Sequence, residues 1–400
     1  MRIGILTFHS QLNYGGVLQC WALQTTLEKM GYDVFVIDRW MDEDNWSLDR
    51  HYPKSFWHCS KKFIVRYLLG LGDYGFYKRI RNTQKFINDK LHLTSYHLWK
   101  WEEAPKDLGV DIVVVGSDQV WNPSWKQHYR FYLLDGATVE LRYISYAASV
   151  GVTSLSTSQV SEFKKGLKKF HAISCREKSG VDICNELGFS AEHVLDPTLL
   201  IEPWEWLKLV HLSLNDCEKP KKRKLLCYFL AENVDVNLPI LEQFARDNDC
   251  QVSILVGEMP RTQDYLPIPY SLRDLCRWGR NLLRRHFSKV RILESYGPIE
   301  FVREHATATW VLTDSFHSLM FSIIFNKRCY FIRPTTTERM LMFSRIKDIE
   351  EHVKGKLVAV SLKDALELVL KEENYSYDLS WFDFKREESL SYLRQNLNNI

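Results

Sequence analysis

Four polar residues in this sequence, Asn13, Asp118, Arg176 and His317, stand at or just after the end of a short apolar run that reads as a β-strand. His317 lies in Asp314-Ser315-Phe316-His317, directly after the apolar run 309–313. Asp314 or Ser315 suits a helix N-cap, which puts His317 in the first helical turn. An imidazole there can act as acid or base near neutral pH, beside backbone N–H groups free to bind an anion. A capping or packing role fits the same position equally well. Arg176 ends the run 172–176, where a guanidinium can grip a carboxylate or phosphate through two parallel hydrogen bonds, or pair only with the adjacent Glu177. Asn13-Tyr14-Gly15-Gly16 forms the first strand-to-helix turn. Glycines let the backbone approach a ligand, but a tight turn also calls for them, and the pattern is not GxGxxG. Asp118-Gln119 occupies the same kind of position, where shaping a turn is the ordinary use of an aspartate.

An alternation of strand and helix must position these residues. Residues 3–8 read as a buried strand, and a helix begins near Gly15 and Gly16. Cys20, Leu23, Leu27 and Met30 recur at helical steps, Gly31 closes the helix, and 34–37 is the next strand. A helix between two strands implies parallel pairing through a right-handed crossover. Strands follow at 111–115, 142–146 and 172–176, with helices over 158–170 and 181–187. Asp196-Pro197-Thr198, with Pro203, marks a domain boundary. Beyond it, strands at 225–230, 251–256, 291–293, 309–313 and 329–332 alternate with helical stretches, one opened by Pro298. The reading is α/β: Rossmann-like, doubly wound domains at 1–197 and 198–379, with 380–400 as a helix packing back across them. In such sheets ligands bind at the carboxyl ends of the strands, so the four polar residues face one cleft.

The length of 400 residues fits two domains, and 45% hydrophobic residues supply two cores. A net charge of +3 argues against a nucleic-acid partner. Nine cysteines without a CxxC pair and thirteen histidines without an HxH or HxxxH cluster argue against a metal site and a disulfide frame, and for reduced thiols in a cytoplasm. The opening MRIGILTF is not a secretory leader, and no apolar run approaches the ~20 residues of a membrane span. Two stretches, 51–92 and 273–291, mix lysine and arginine with aromatic and aliphatic residues. They read as solvated helical surfaces or as peripheral docking faces for anionic lipid or a lipid-linked diphosphate.

The runs Gly4–Phe8, Leu12–Gln19 and Val115–Pro123 resemble the polysaccharide pyruvyl transferase family. So do Tyr146–Gly151, Ser174-Cys175-Arg176-Glu177, Asp196-Pro197-Thr198 and Asp314-Ser315-Phe316-His317, all in family order between about residues 2 and 335. The resemblance implies a glycosyltransferase-B-like fold with the active site between the domains. It implies phosphoenolpyruvate as donor substrate, no cofactor, and as acceptor a sugar of a cell-surface polysaccharide, often still polyprenyl-diphosphate-linked. By the same resemblance His317 matches the catalytic histidine and Arg176 the donor-binding arginine. Asn13, Tyr14, Gly15, Gly16, Asp118, Gln119, Asp314 and Ser315 are the candidate substrate-binding residues beside them. Two positions depart from it: Ser315 stands where an arginine is common, and Arg328 where a proline often follows Asn326-Lys327. Lys327, Arg328 or Arg333 would then hold the donor anion. A nucleotide-sugar glycosyltransferase and a non-catalytic sugar- or lipid-docking protein are the competing readings.

Overall fold

The computed structural model describes residues 1–10, 12–39, 74–125, 128–218, 222–230, 234–257, 288–336, 340, 343–371 and 374–398. Residues 51–73 of the first basic stretch and 273–287 of the second lie outside them.

The first sheet comprises β1 (Arg2–Leu6), β2 (Asp33–Asp38), β3 (Leu93–His97), β4 (Ile112–Val115), β5 (Arg142–Ser145) and β6 (Phe170–Ala172). Every pairing is parallel, and the order is β3-β2-β1-β4-β5-β6. A two-stranded parallel pair, β7 (Ser174–Cys175) and β8 (Glu192–His193), continues beyond it. The second sheet repeats the plan with β9 (Lys224–Phe229), β10 (Gln251–Val256), β11 (Arg291–Leu293), β12 (Trp310–Thr313), β13 (Arg328–Ile332) and β15 (Val358–Ala359). Its order, β11-β10-β9-β12-β13-β15, is the same doubly wound arrangement. A small antiparallel pair, β14 (Val353–Lys354) with β16 (Ser376–Tyr377), completes the strands.

The central strands have this form because their sequences are predominantly apolar. Ile112–Val115 and Trp310–Thr313 are buried at every position, as expected of parallel strands covered on both faces. The segment read as one strand over 172–176 is instead divided between β6 and β7.

The helix Tyr14–Lys29 is buried almost all round, including Gln19, Gln24 and Thr26. The reason is its place between the domains. Tyr14 stacks on Phe301 of the second domain at 4.8 Å, and its hydroxyl donates to the Tyr296 carbonyl at 2.9 Å. Arg79 lies over the same ring at 4.4 Å and bridges the domains, donating to the Leu12 and Val256 carbonyls. One continuous core runs from Ile3 and Val17 of the first domain to Leu226, Phe301 and Phe321 of the second. The outer faces of the two sheets carry separate cores.

The final helix, Leu379–Asn398, returns to the first domain. Tyr392 donates to the Ser145 carbonyl at 2.8 Å, and the Ser389 hydroxyl accepts from the Leu195 N–H. No helix among the described residues is long and apolar enough to cross a membrane.

Tyr14→Phe removes the cross-domain hydrogen bond and keeps the ring stack. The expected cost is about 1 kcal/mol in urea-induced unfolding monitored at both domains. An unchanged midpoint would mean that this bond contributes nothing to holding the domains together.

Candidate active site

The strand order reverses between β1 and β4 in the first sheet and between β9 and β12 in the second, where doubly wound sheets bind ligands. Four short chain segments after these and neighbouring strands converge. Beyond β1, Thr7 donates to the Ser117 carbonyl and accepts from the Gln19 amide. Gln19 also accepts from the Ser117 N–H at 3.2 Å, locking the turns after β1 and β4 together. Gly116 at φ +115° is required in that turn, because a Cβ there would overlap the Tyr146 carbonyl. Asp118 follows at φ +68°.

Beyond β12, Asp314 accepts from the Leu230 N–H at 2.6 Å, tying the ends of β9 and β12. The helix Phe316–Ile324 then carries His317 in its first turn. Gly15 gives this histidine room: a Cβ on Gly15 would collide with the imidazole.

Asp196 is the residue on which the two domains meet. It caps the turn Pro197–Leu200, and its Oδ1 accepts from the Thr198 N–H and hydroxyl at 3.0 and 2.7 Å. Its Oδ2 accepts from Arg176 Nη1 at 2.9 Å and from the Ser117 hydroxyl at 3.3 Å, and lies 3.6 Å from His317 Nε2. Burial alone would raise the Asp196 carboxyl. His317, Arg176 and the Thr198 N–H outweigh it and hold the group well below the usual carboxylate range.

Arg176 is enclosed as well, with 1% of its side chain exposed. Besides Asp196 it has Asp118 Oδ1 at 3.5 Å, Glu177 Oε2 at 4.0 Å and the Phe316 ring 4.4 Å from Cζ. Glu177 uses its other oxygen to accept from the Ser149 hydroxyl and the N–H groups of Val150 and Gly151. Arg176 Nε and Nη2 and His317 Nε2 are buried without a hydrogen-bond partner. A donor, an acid–base ring and an oriented carboxylate are thus grouped in a buried site. Such an arrangement can hold an anion and move a proton beside it.

The structure brings together His317, Arg176, Asp118, Gly15 and Gly16. Asn13 is exposed and caps its helix through the N–H groups of Gly15 and Gly16. Tyr14 belongs to the interdomain core, where burial raises its phenol. Gln119 accepts from the Asn122 amide, and Ser315 is buried without a side-chain capping bond. Lys327 and Arg328 do not join the group. Arg328 pairs in register with Trp310, at the amino end of β12, whereas His317 follows the carboxyl end. Lys327 donates to the Cys217 carbonyl. Arg333 lies past the carboxyl end of β13 and is exposed.

Two members of the neighbourhood are not among the site residues the sequence leads one to expect: Asp196, which reads there as a boundary and motif, and Arg345, whose Cζ lies 5.1 Å from the Phe316 ring. Cys175, next to Arg176, packs against Cys184 with its thiol raised. Among the described residues no group of three His, Cys, Asp or Glu is placed to hold a metal ion. A depression of about 630 Å³ lined by Met1, Asp111 and Arg142 lies at the amino edge of the first sheet, away from this cluster.

Two doubly wound domains with a buried His–Asp–Arg group at their junction define a glycosyltransferase-B-like fold with a candidate site between its sheets. The chain belongs to the polysaccharide pyruvyl transferase family, whose sequence model matches residues 13–335. Among solved structures it resembles the UDP-GlcNAc 2-epimerase of Methanocaldococcus jannaschii, at TM-score 0.51 and 14% identity, covering 94% of this chain and 95% of that one. It also resembles the S. aureus MnaA–UDP co-structure, at TM-score 0.52 and 11% identity over 100% and 97% of the two chains. The UDP-N-acetylglucosamine 2-epimerase of Rickettsia bellii matches at TM-score 0.51 and 11% identity over 98% and 96%. These likenesses establish the fold. No curated protein matches the chain in sequence.

Asp196→Asn tests the hub. A carboxyl lowered by folding stabilises the protein above its unfolded value near ~4, and that stabilisation is lost as pH falls. The variant is expected to lose on the order of 3 kcal/mol at pH 7, since Arg176 loses a buried partner, and to show a flatter acid limb of stability below pH ~5. Parallel acid limbs for wild type and variant would show that Asp196 is not held as a carboxylate.

Proposed function

We propose that this protein transfers the pyruvyl group of phosphoenolpyruvate to two hydroxyls of a sugar, forming a ketal during assembly of a cell-surface polysaccharide. The carrying observation is the placement of His317 beside Asp196 and Arg176, with unpartnered N–H groups in a buried site. Family membership supplies the reaction class.

In this reading Arg176 and the first-turn amides of Phe316–Ile324 orient the donor's negative charge. A proton is added to C3 of the enol, and the first sugar hydroxyl bonds to C2. The C2–O bond to phosphate then breaks, and the second hydroxyl bonds to C2. Of the two protons released by the hydroxyls, one balances that taken by C3 and the other leaves with phosphate. His317 is the group that gives and takes these protons. Asp196 faces Nε2 and Gly15 packs against the other side of the ring, and together they fix its orientation.

A polyprenyl-diphosphate-linked sugar is the proposed acceptor. The basic-aromatic stretches would meet the anionic inner face of a membrane, with the protein itself cytoplasmic. Release of inorganic phosphate, rather than a nucleoside diphosphate, separates this reaction from a nucleotide-sugar glycosyl transfer.

Calorimetry with phosphoenolpyruvate, set beside a nucleotide-sugar control, tests the donor. Saturable binding that is lost in Arg176→Ala is expected, with His317→Ala binding donor but turning over at least ~10²-fold more slowly. Binding of the nucleotide sugar alone would leave the fold and remove the reaction. Near-normal turnover in folded His317→Ala would remove the role of the histidine.

A further inference from the structure

Arg176 is outnumbered. Asp118, Glu177 and Asp196 all lie within 4.0 Å of its guanidinium, so this cation alone does not make the site attractive to an anion. A second guanidinium arrives from far along the chain. Arg345 sits in the helix Ser344–Glu350, with Cζ 5.1 Å from the centroid of the Phe316 ring that Arg176 meets at 4.4 Å. One ring, adjacent to His317 in sequence, therefore carries a guanidinium from each domain.

The helix bearing Arg345 is fixed there. Ile346 and Ile349 are buried in the central core. Asp348 accepts from the backbone N–H of Lys178 at 3.0 Å, and Lys178 Nζ meets Glu351 at 3.2 Å. Lys178 is two residues from Arg176, so the contacts that hold one arginine also set the distance to the other. Nε of both residues, and Nη2 of Arg176, are buried without a hydrogen-bond partner. Unsatisfied buried donors are costly and call for a partner. Burial, followed by the field of Arg176, lowers Arg345 to about 10, while the three surrounding carboxylates oppose the change. It remains a cation at neutral pH.

We propose that Arg176 and Arg345 form a two-armed clamp sharing Phe316, which takes a small ligand carrying two separate anionic groups. Resting on the pyruvyl-transfer reading, those groups are the carboxylate and phosphate of phosphoenolpyruvate, one to each arm. A guanidinium matches either group through paired N–H donors, and a ring beneath it restricts its rotation.

The test compares phosphoenolpyruvate, inorganic phosphate and pyruvate as calorimetric ligands for wild type, Arg345→Gln and Arg345→Lys. Wild type should bind the two-anion ligand more tightly than either one-anion ligand. Arg345→Gln should weaken phosphoenolpyruvate about tenfold to a hundredfold and bring it close to the single anions. Arg345→Lys, which keeps the charge and serves if the glutamine variant does not fold, should recover part of the loss. Phosphoenolpyruvate affinity unchanged in both variants overturns the clamp while leaving pyruvyl transfer standing. Two-anion binding that depends on Arg345, without any transfer to a sugar, supports the clamp and overturns the reaction. A wild type that binds none of the three overturns both.

Discussion

The site depends on the buried carboxylate of Asp196. It takes a hydrogen bond from Arg176 and another from Ser117, both of the first domain, and lies against His317 of the second. Removing a carboxylate from water is costly, and a buried ion pair seldom adds net stability over an apolar pair of the same shape. What it adds is definition. Arg176 is held by Asp196 at Nη1, with Asp118, Glu177 and the Phe316 ring around it, and Asp196 is fixed because Thr198 donates to it twice. The long 3.6 Å approach to His317 Nε2 leaves the imidazole oriented without a closed hydrogen bond. A bond that shortens only when substrate is bound is a recurring feature of acid–base sites.

This arrangement requires the domains to keep a set relation, and the packing supplies one. The apolar core is continuous from one domain to the other, with Tyr14, Tyr228 and Phe301 at its centre. Arg79 ties the loop after β1 to the carboxyl end of β10. Gly15 leaves space that the His317 ring fills, so the histidine is seated by the opposite domain as much as by its own helix. Interfaces between domains are often polar and mobile. Here the part nearest the chemistry is apolar and interlocked.

Much of the fold is legible because its central strands are predominantly apolar runs. Ile112–Val115 and Trp310–Thr313 announce parallel strands by themselves, and β10 and β11 fall where the periodicity puts them. The edges were not legible. β3 has only half-buried and exposed positions, and β15 is two residues long, so neither carries an apolar signal. In the site, His317 and Arg176 stand at the strand ends where a ligand-binding residue is expected. Asp196 reads as a boundary because Asp-Pro-Thr has the chemistry of a turn, and it does make that turn with Oδ1 while serving the site with Oδ2. Lys327 and Arg328 illustrate the opposite error. They are near His317 in sequence, but a full helix reverses the chain between them and puts them at the other edge of the sheet. Arg345 offers no sequence signal, since only the packing of its helix brings it to Phe316.

Charge accounts for how the parts would act together in the proposed reaction. Arg176 and Arg345 stand against Asp118, Glu177 and Asp196, so the site does not draw an anion by an excess of positive charge. What it offers is direction. Asp196 is already engaged by Thr198 and Ser117, and Glu177 by Ser149, Val150 and Gly151. The donors left over are Nε and Nη2 of Arg176 and Nε of Arg345, in a buried site where a charge-assisted bond is not screened by water. An anion placed against them satisfies groups that are costly to leave unpaired, whereas an anion placed elsewhere in the group meets carboxylates. The carboxylates around Arg176 thus weaken anion binding in general and restrict it to one position, which is what a reaction beside His317 requires.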